Sequence, residues 1–150
     1  MRQTIRMLAL AASILALPAP AATPNTVVTD GIEIHFGLMA AEKLRAYPRN
    51  FPEARMHGGV PKADGYYHVN VSLFDVAKQG PIANARVEVQ VDEPGLGTQT
   101  KALEPMVIND TTSYGNYFRI GARKPYWFTV RVQKPGYVGV TEAKFHPWTD

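Results

Sequence analysis

Three stretches of the chain alternate apolar and polar side chains with a period of two, a pattern that suits an extended strand with one face buried. Tyr67, Val69, Val71 and Leu73 alternate with His68, Asn70 and Ser72. Val87, Val89 and Val91 alternate with Glu88 and Gln90, and Phe128, Val130 and Val132 alternate with Thr129, Arg131 and Gln133. Weaker strand signals fall at 31–36, 103–108, 117–120 and 140–145, with turn signals at Gly80-Pro81, Pro94-Gly95, Tyr114-Gly115-Asn116 and Pro135-Gly136. About seven short strands spaced by turns predict an all-β fold, an antiparallel β-sandwich. One short helix is predicted over 38–46, where Ala40, Ala41, Glu42, Lys43, Leu44 and Arg45 are good helix formers and Pro48 lies just past the end. Residues 47–64, with Pro48, Pro52, Pro61, Gly58 and Gly59, read as a long loop, and loops of that length in compact domains usually have a use.

The N-terminus has the layout of a secretory signal. Arg2 and Arg6 precede an apolar run from Met7 to Leu17, followed by Pro18 and the small residues Ala19, Ala21 and Ala22. That run falls well short of the roughly 20 residues a membrane-spanning helix needs. Cleavage after Ala21 or Ala22 is expected, giving a signal peptide over 1–21 and a single β-sandwich domain over 22–150. The alternative is a buried N-terminal helix. Export to a bacterial periplasm follows from the first reading. The whole chain carries a formal charge of +3, but without Arg2 and Arg6 it has 14 basic and 13 acidic side chains. A charge so near balance offers no electrostatic footprint for nucleic acid.

With no cysteine in the chain, disulfides, thiolate metal sites and thiol nucleophiles are excluded. No nucleophile elbow and no phosphate-cradling glycine loop occurs, so no enzymatic function is expected. A transition-metal site would have to use imidazole, thioether and carboxylate groups. Met56 and His57 are adjacent in the long loop and precede Gly58-Gly59, so both donors could turn toward one point. His35 shares an outward strand face with Glu33, and His68 shares one with Asn70 and Ser72; both are also explained as surface residues. Met106 lies among Leu103, Val107 and Ile108, and an apolar strand Met is more often core than ligand. Met39, inside the helix signal, reads as core packing. An imidazole–thioether set would suit copper, Cu(I) especially, while added carboxylate or water would favour harder divalent ions.

The stretch 104–115, Glu-Pro-Met-Val-Ile-Asn-Asp-Thr-Thr-Ser-Tyr-Gly, followed by Tyr126-Trp127-Phe128-Thr129-Val130, resembles part of a family of small periplasmic copper- and iron-binding proteins linked to bacterial ferrous-iron uptake. That family is an immunoglobulin-like, cupredoxin-shaped sandwich. Its His-x-Glu strand is matched by Tyr67-His68-Val69-Asn70-Val71, so the resemblance implies that His68 and Met106 stand at ligand positions. Asn70 replaces the family's Glu, Ser113 replaces the His before Tyr-Gly, and the late His-rich loop has no counterpart. The segment 80–87 is also of a type common in exported immunoglobulin-like modules. The strand-turn-strand stretch resembles YtkA-like exported domains, and the Met56-His57-Gly58-Gly59 loop is similar to one in a related periplasmic group of unassigned role.

These resemblances imply a non-catalytic periplasmic accessory protein that binds copper or ferrous iron for envelope metal uptake or delivery. Its metal set would be His68 and Met106, with His57, Met56 and His35 supplying donors lost at positions 70 and 113. The implied partners are the metal ion, an inner- or outer-membrane transport protein, and a second copy in a homodimer. The rival expectation is a metal-free interaction module that docks an envelope partner by a sheet edge or the 47–64 loop. Small-ligand binding by the Tyr- and Trp-rich strands is a third.

Overall fold

The computed structural model describes residues 25–95, 97–121 and 126–147; the signal-peptide reading lies outside them. Among the described residues ten strands form two antiparallel sheets. The first sheet contains β1 (Thr26–Thr29), β2 (Ile32–Ala40), β3 (Tyr66–Asp75), the short β4 (Gly80–Pro81), β7 (Glu104–Ile108) and β8 (Thr111–Arg119). Its order is β1-β2-β3-β8-β7, with β4 paired to β3. The second contains β5 (Arg86–Glu93), β6 (Gly97–Ala102), β9 (Trp127–Gln133) and β10 (Thr141–Phe145), in the order β10-β9-β5-β6. The chain is the antiparallel β-sandwich that the alternation predicts.

The apolar rows meet between the sheets. Ile32, Ile34 and Phe36 of β2, Val69, Val71 and Leu73 of β3, and Val89, Phe128, Val130 and Phe145 from the opposite sheet form one buried cluster. Phe36 stacks on Phe145 at 4.9 Å and tilts against Phe128 at 5.0 Å between ring centroids, which locks the two sheets together. Two tight turns set registers. Asp30-Gly31 joins β1 to β2 and Asn109-Asp110 joins β7 to β8, and both residues of each turn have positive φ. That is the backbone a two-residue hairpin turn needs to match strand twist, and Asn, Asp and Gly adopt it at least cost.

Several local expectations are corrected. The helix α1 covers only Ala41–Arg45, because residues 38–40 continue β2 and pair with β3. Met39 is consequently 38% exposed rather than core. The long loop holds the short helix α2 (Pro52–Arg55) and a 3-10 turn (Met56–Gly58). Tyr114-Gly115-Asn116 is no turn; it lies in the middle of β8. β6 escaped notice because it is a polar edge strand with no apolar row to reveal it.

Tyr114 also connects the sheets' crossover to the core. Its buried hydroxyl donates to the Ile82 carbonyl and accepts from the Ala85 N–H, each at 3.0 Å. Tyr114→Phe would orphan both backbone groups, and it should lower stability by about 1–3 kcal/mol in urea unfolding. A change below a few tenths of a kcal/mol would show that water satisfies them.

Candidate metal centre

The face of the first sheet turned away from the core is also covered. α1 and the loop after it fold over that face: Ala41 and Leu44 pack with Tyr117, against Val60 and Tyr66. Beneath this cover the register sets three rows across the strands. Met39, His68 and Tyr117 share one row; Gly37, Asn70, Gly115 and Glu104 the next; His35, Ser72, Ser113 and Met106 the third.

Gly115 sits between the outer two rows, and its missing side chain is what lets them meet. A Cβ built there would stand 2.7 Å from His68 Nε2, 2.9 Å from His68 Cε1 and 2.9 Å from the Met106 methyl. His68 and Met106 thus lean into one hole from opposite sides. Met106 is 1% exposed yet belongs to neither apolar cluster, so its burial serves this hole rather than the sandwich core.

His57 enters from above. Its backbone is left-handed, φ 56° and ψ 32°, in the turn before Gly58, a conformation uncommon for a residue with a Cβ. Its ring lies 5.4 Å from that of His68 and 5.8 Å from that of Tyr117, and His68 and Tyr117 are 5.0 Å apart. The His57 side chain is only 2% exposed, and Nδ1 lies 2.8 Å from Glu104 Oε2. With Nδ1–H donating to that carboxylate, Nε2 is the ring nitrogen left for a ligand.

Three buried side-chain atoms lack any hydrogen-bond partner among the described residues: His57 Nε2, His68 Nε2 and Asn70 Oδ1. Buried polar atoms are seldom left unpaired, and here the three belong to one covered face. A cavity of about 380 Å³, lined by Met39, Leu44, Tyr47, Phe51, His68 and Asn70 among others, reaches the same place. Burial, assisted by the neighbouring His57, lowers the His68 pKa from 6.5 to about 4, so its ring is neutral at neutral pH and can act as a lone-pair donor.

The structure brings His68 and Met106 to the space beside Gly115, with the His57 ring against His68, and leaves His35 out. His35 is committed elsewhere, with Nδ1 3.0 Å from Thr26 Oγ1 and Nε2 2.9 Å from Glu33 Oε1. It lies one strand over and four residues along from His68, about 14 Å at the usual strand spacings. Met56 is half-buried on the same turn as His57. Asn70 and Glu104, outside the sequence-predicted donor set, flank Gly115 on either side. Among the described residues no three His, Asp or Glu side chains group as a ligand set, so a centre here must count the Met106 thioether. Two imidazole nitrogens and a thioether suit copper.

No family model and no curated protein matches the chain. Solved structures share its fold. A DUF4426 family protein from Pseudomonas aeruginosa PAO1 superposes with a TM-score of 0.60 at 16% identity, covering 83% of this chain and 94% of that one. A copper-bound variant of FetP from uropathogenic Escherichia coli gives a TM-score of 0.60 at 14% identity, covering 81% and 91%. A copper-bound variant of Campylobacter jejuni P19 gives 0.59 at 12% identity, covering 83% and 93%. The suspected resemblance to small copper-binding sandwiches therefore holds at the level of fold.

Two measurements probe the packing of this centre. Gly115→Ala must displace His68 or Met106, and the overpacking should cost about 1–3 kcal/mol in denaturant unfolding; an unchanged midpoint would mean the hole is loose. Since the folded pKa of His68 is depressed, the unfolded chain binds the extra proton between pH 6.5 and about 4. Stability from this group is therefore complete above pH 6.5 and falls by up to about 3 kcal/mol as pH drops to 4, at ~1.4 kcal/mol per unit. His68→Gln should flatten the unfolding free energy over that window relative to the parent chain; parallel pH profiles would contradict the buried neutral imidazole.

Proposed function

We propose that the chain is a periplasmic, non-catalytic accessory protein that binds copper for envelope metal uptake or delivery. The observation that carries this is the pair of buried, unpartnered Nε2 atoms of His57 and His68, on a face where the Met106 methyl and His68 share the space above Gly115. The orphaned nitrogens fit a metal better than they fit a finished core, because leaving a buried polar atom unsatisfied costs about 1–3 kcal/mol. His57, His68 and Met106 would hold the ion, and Glu104 would fix the His57 ring. The copper-bound state of two proteins of this fold supports copper. One FetP structure is of protein recombinantly expressed in the periplasm of Escherichia coli, and the periplasmic part of the reading rests on the signal-like N-terminus of this chain. Copper would supply redox chemistry when bound, and His57, His68 and Met106 would hold it beneath the cover formed by α1 and the loop.

The docking alternative has one observation on its side, the exposed Tyr47 and Phe51 rings 5.4 Å apart on the long loop. The copper reading is favoured because that same loop places His57, whose ring is buried and held by Glu104.

Purified protein should take up one equivalent of copper. His57→Ala, His68→Ala and Met106→Ile should each weaken binding by at least about tenfold, and Glu104→Ala by about 10–100-fold through loss of the partner that orients His57. His35→Ala should leave affinity unchanged. Background-level uptake by the parent chain, or parent-like affinity in both histidine variants, would overturn the assignment.

A further inference from the structure

The copper reading leaves open which oxidation state and which competing ions the site accepts, and the charge around Gly115 bears on both. The donors are two imidazoles and a thioether, all neutral. The nearby carboxylate, Glu104, is 60% exposed, and its Oε2 is engaged with His57 Nδ1 at 2.8 Å. At the register position directly beside Gly115 stands Asn70, a neutral side chain whose Oδ1 is buried and unpartnered.

Desolvation of an ion rises steeply with its charge, roughly as the square in the Born picture, so a divalent ion costs about four times what a monovalent ion of similar size costs to bury. A buried site repays that cost with anionic ligands, and the carboxylate on this face, Glu104, is 60% exposed and engaged with His57. A thioether adds a soft donor that suits cuprous ion and offers little to ferrous, zinc or cupric ions. Resting on the copper-binding reading, we propose that this centre selects Cu(I) over divalent ions, and that Asn70 is the specificity-determining residue because it withholds a negative charge at the β3 register position directly beside Gly115. Its amide oxygen accepts hydrogen bonds or weakly supports the ion without adding charge. A carboxylate there would lower the cost of burying a divalent ion.

The test is competition under anaerobic conditions. Cu(I) is titrated against a chromophoric cuprous chelator, and Cu(II), Zn(II) and Fe(II) are each titrated separately, with the parent chain and with Asn70→Asp. The parent chain should hold Cu(I) at least about a hundredfold more tightly than any of the divalent ions. Asn70→Asp, which is nearly isosteric, should tighten divalent binding by about tenfold or more while changing Cu(I) affinity much less. Comparable affinity of the parent chain for Cu(I) and Cu(II) would overturn the proposal while leaving copper binding intact. So would an Asn70→Asp chain that is folded by circular dichroism and shows parent-like divalent affinities. If that variant does not fold, the parent chain's Cu(I)-to-divalent ratio decides alone. Failure to bind copper in either state would instead remove the underlying reading, and the selectivity with it.

Discussion

The site depends on a missing side chain. Gly115 lies in the middle of a buried strand, where glycine weakens a sheet by giving up both packing and backbone order. Its φ is not positive, so backbone conformation does not demand it. Space does: His68 and Met106 occupy the volume a Cβ would take. A glycine kept at a buried strand position by its neighbours, with no turn to make, marks the point where two rows of side chains are drawn together.

Around that point each element has a distinct task. The Asn109-Asp110 turn fixes the β7–β8 register, which sets Met106 opposite Ser113 and Glu104 opposite Gly115. β3 carries His68 and Asn70 on the face opposite the core row Val69, Val71 and Leu73. The segment from α1 through the 3-10 turn covers the face and brings His57 to a carboxylate 47 residues away in sequence. The cover removes water from the imidazoles, which is why the His68 ring resists protonation until about pH 4. The rigid sandwich positions His68 and Met106, and the loop positions His57.

The sandwich was legible because period-two alternation is a direct consequence of strand geometry, and the strongest rows, in β3, β5 and β9, are the central pairings of the two sheets. The faces of His35 and His68 followed from the same alternation. The convergence did not, since alternation gives a face and says nothing of distance along it; His35 and His68 share a face and stand far apart. Tyr114-Gly115-Asn116 looked like a turn because glycine flanked by Asn usually is one, and only the tertiary neighbours explain it otherwise. Asp30-Gly31 is a hairpin signal in the sequence itself, and it joins β1 to β2. Glu104 had no sequence signal at all: its role exists only once the loop closes over β7. Asn70 was visible as a departure from the His-x-Glu pattern, and its position beside Gly115 gives that departure a physical meaning.

The central claim is that His57, His68 and Met106, from a loop and two strands, hold one copper ion over Gly115. X-ray absorption of the copper-loaded protein tests it most directly. The account predicts a first shell with two imidazole nitrogens and one sulfur, with the sulfur contribution lost in Met106→Ile and one imidazole lost in His57→Ala. A first shell without sulfur, or one that both substitutions leave unchanged, would contradict it.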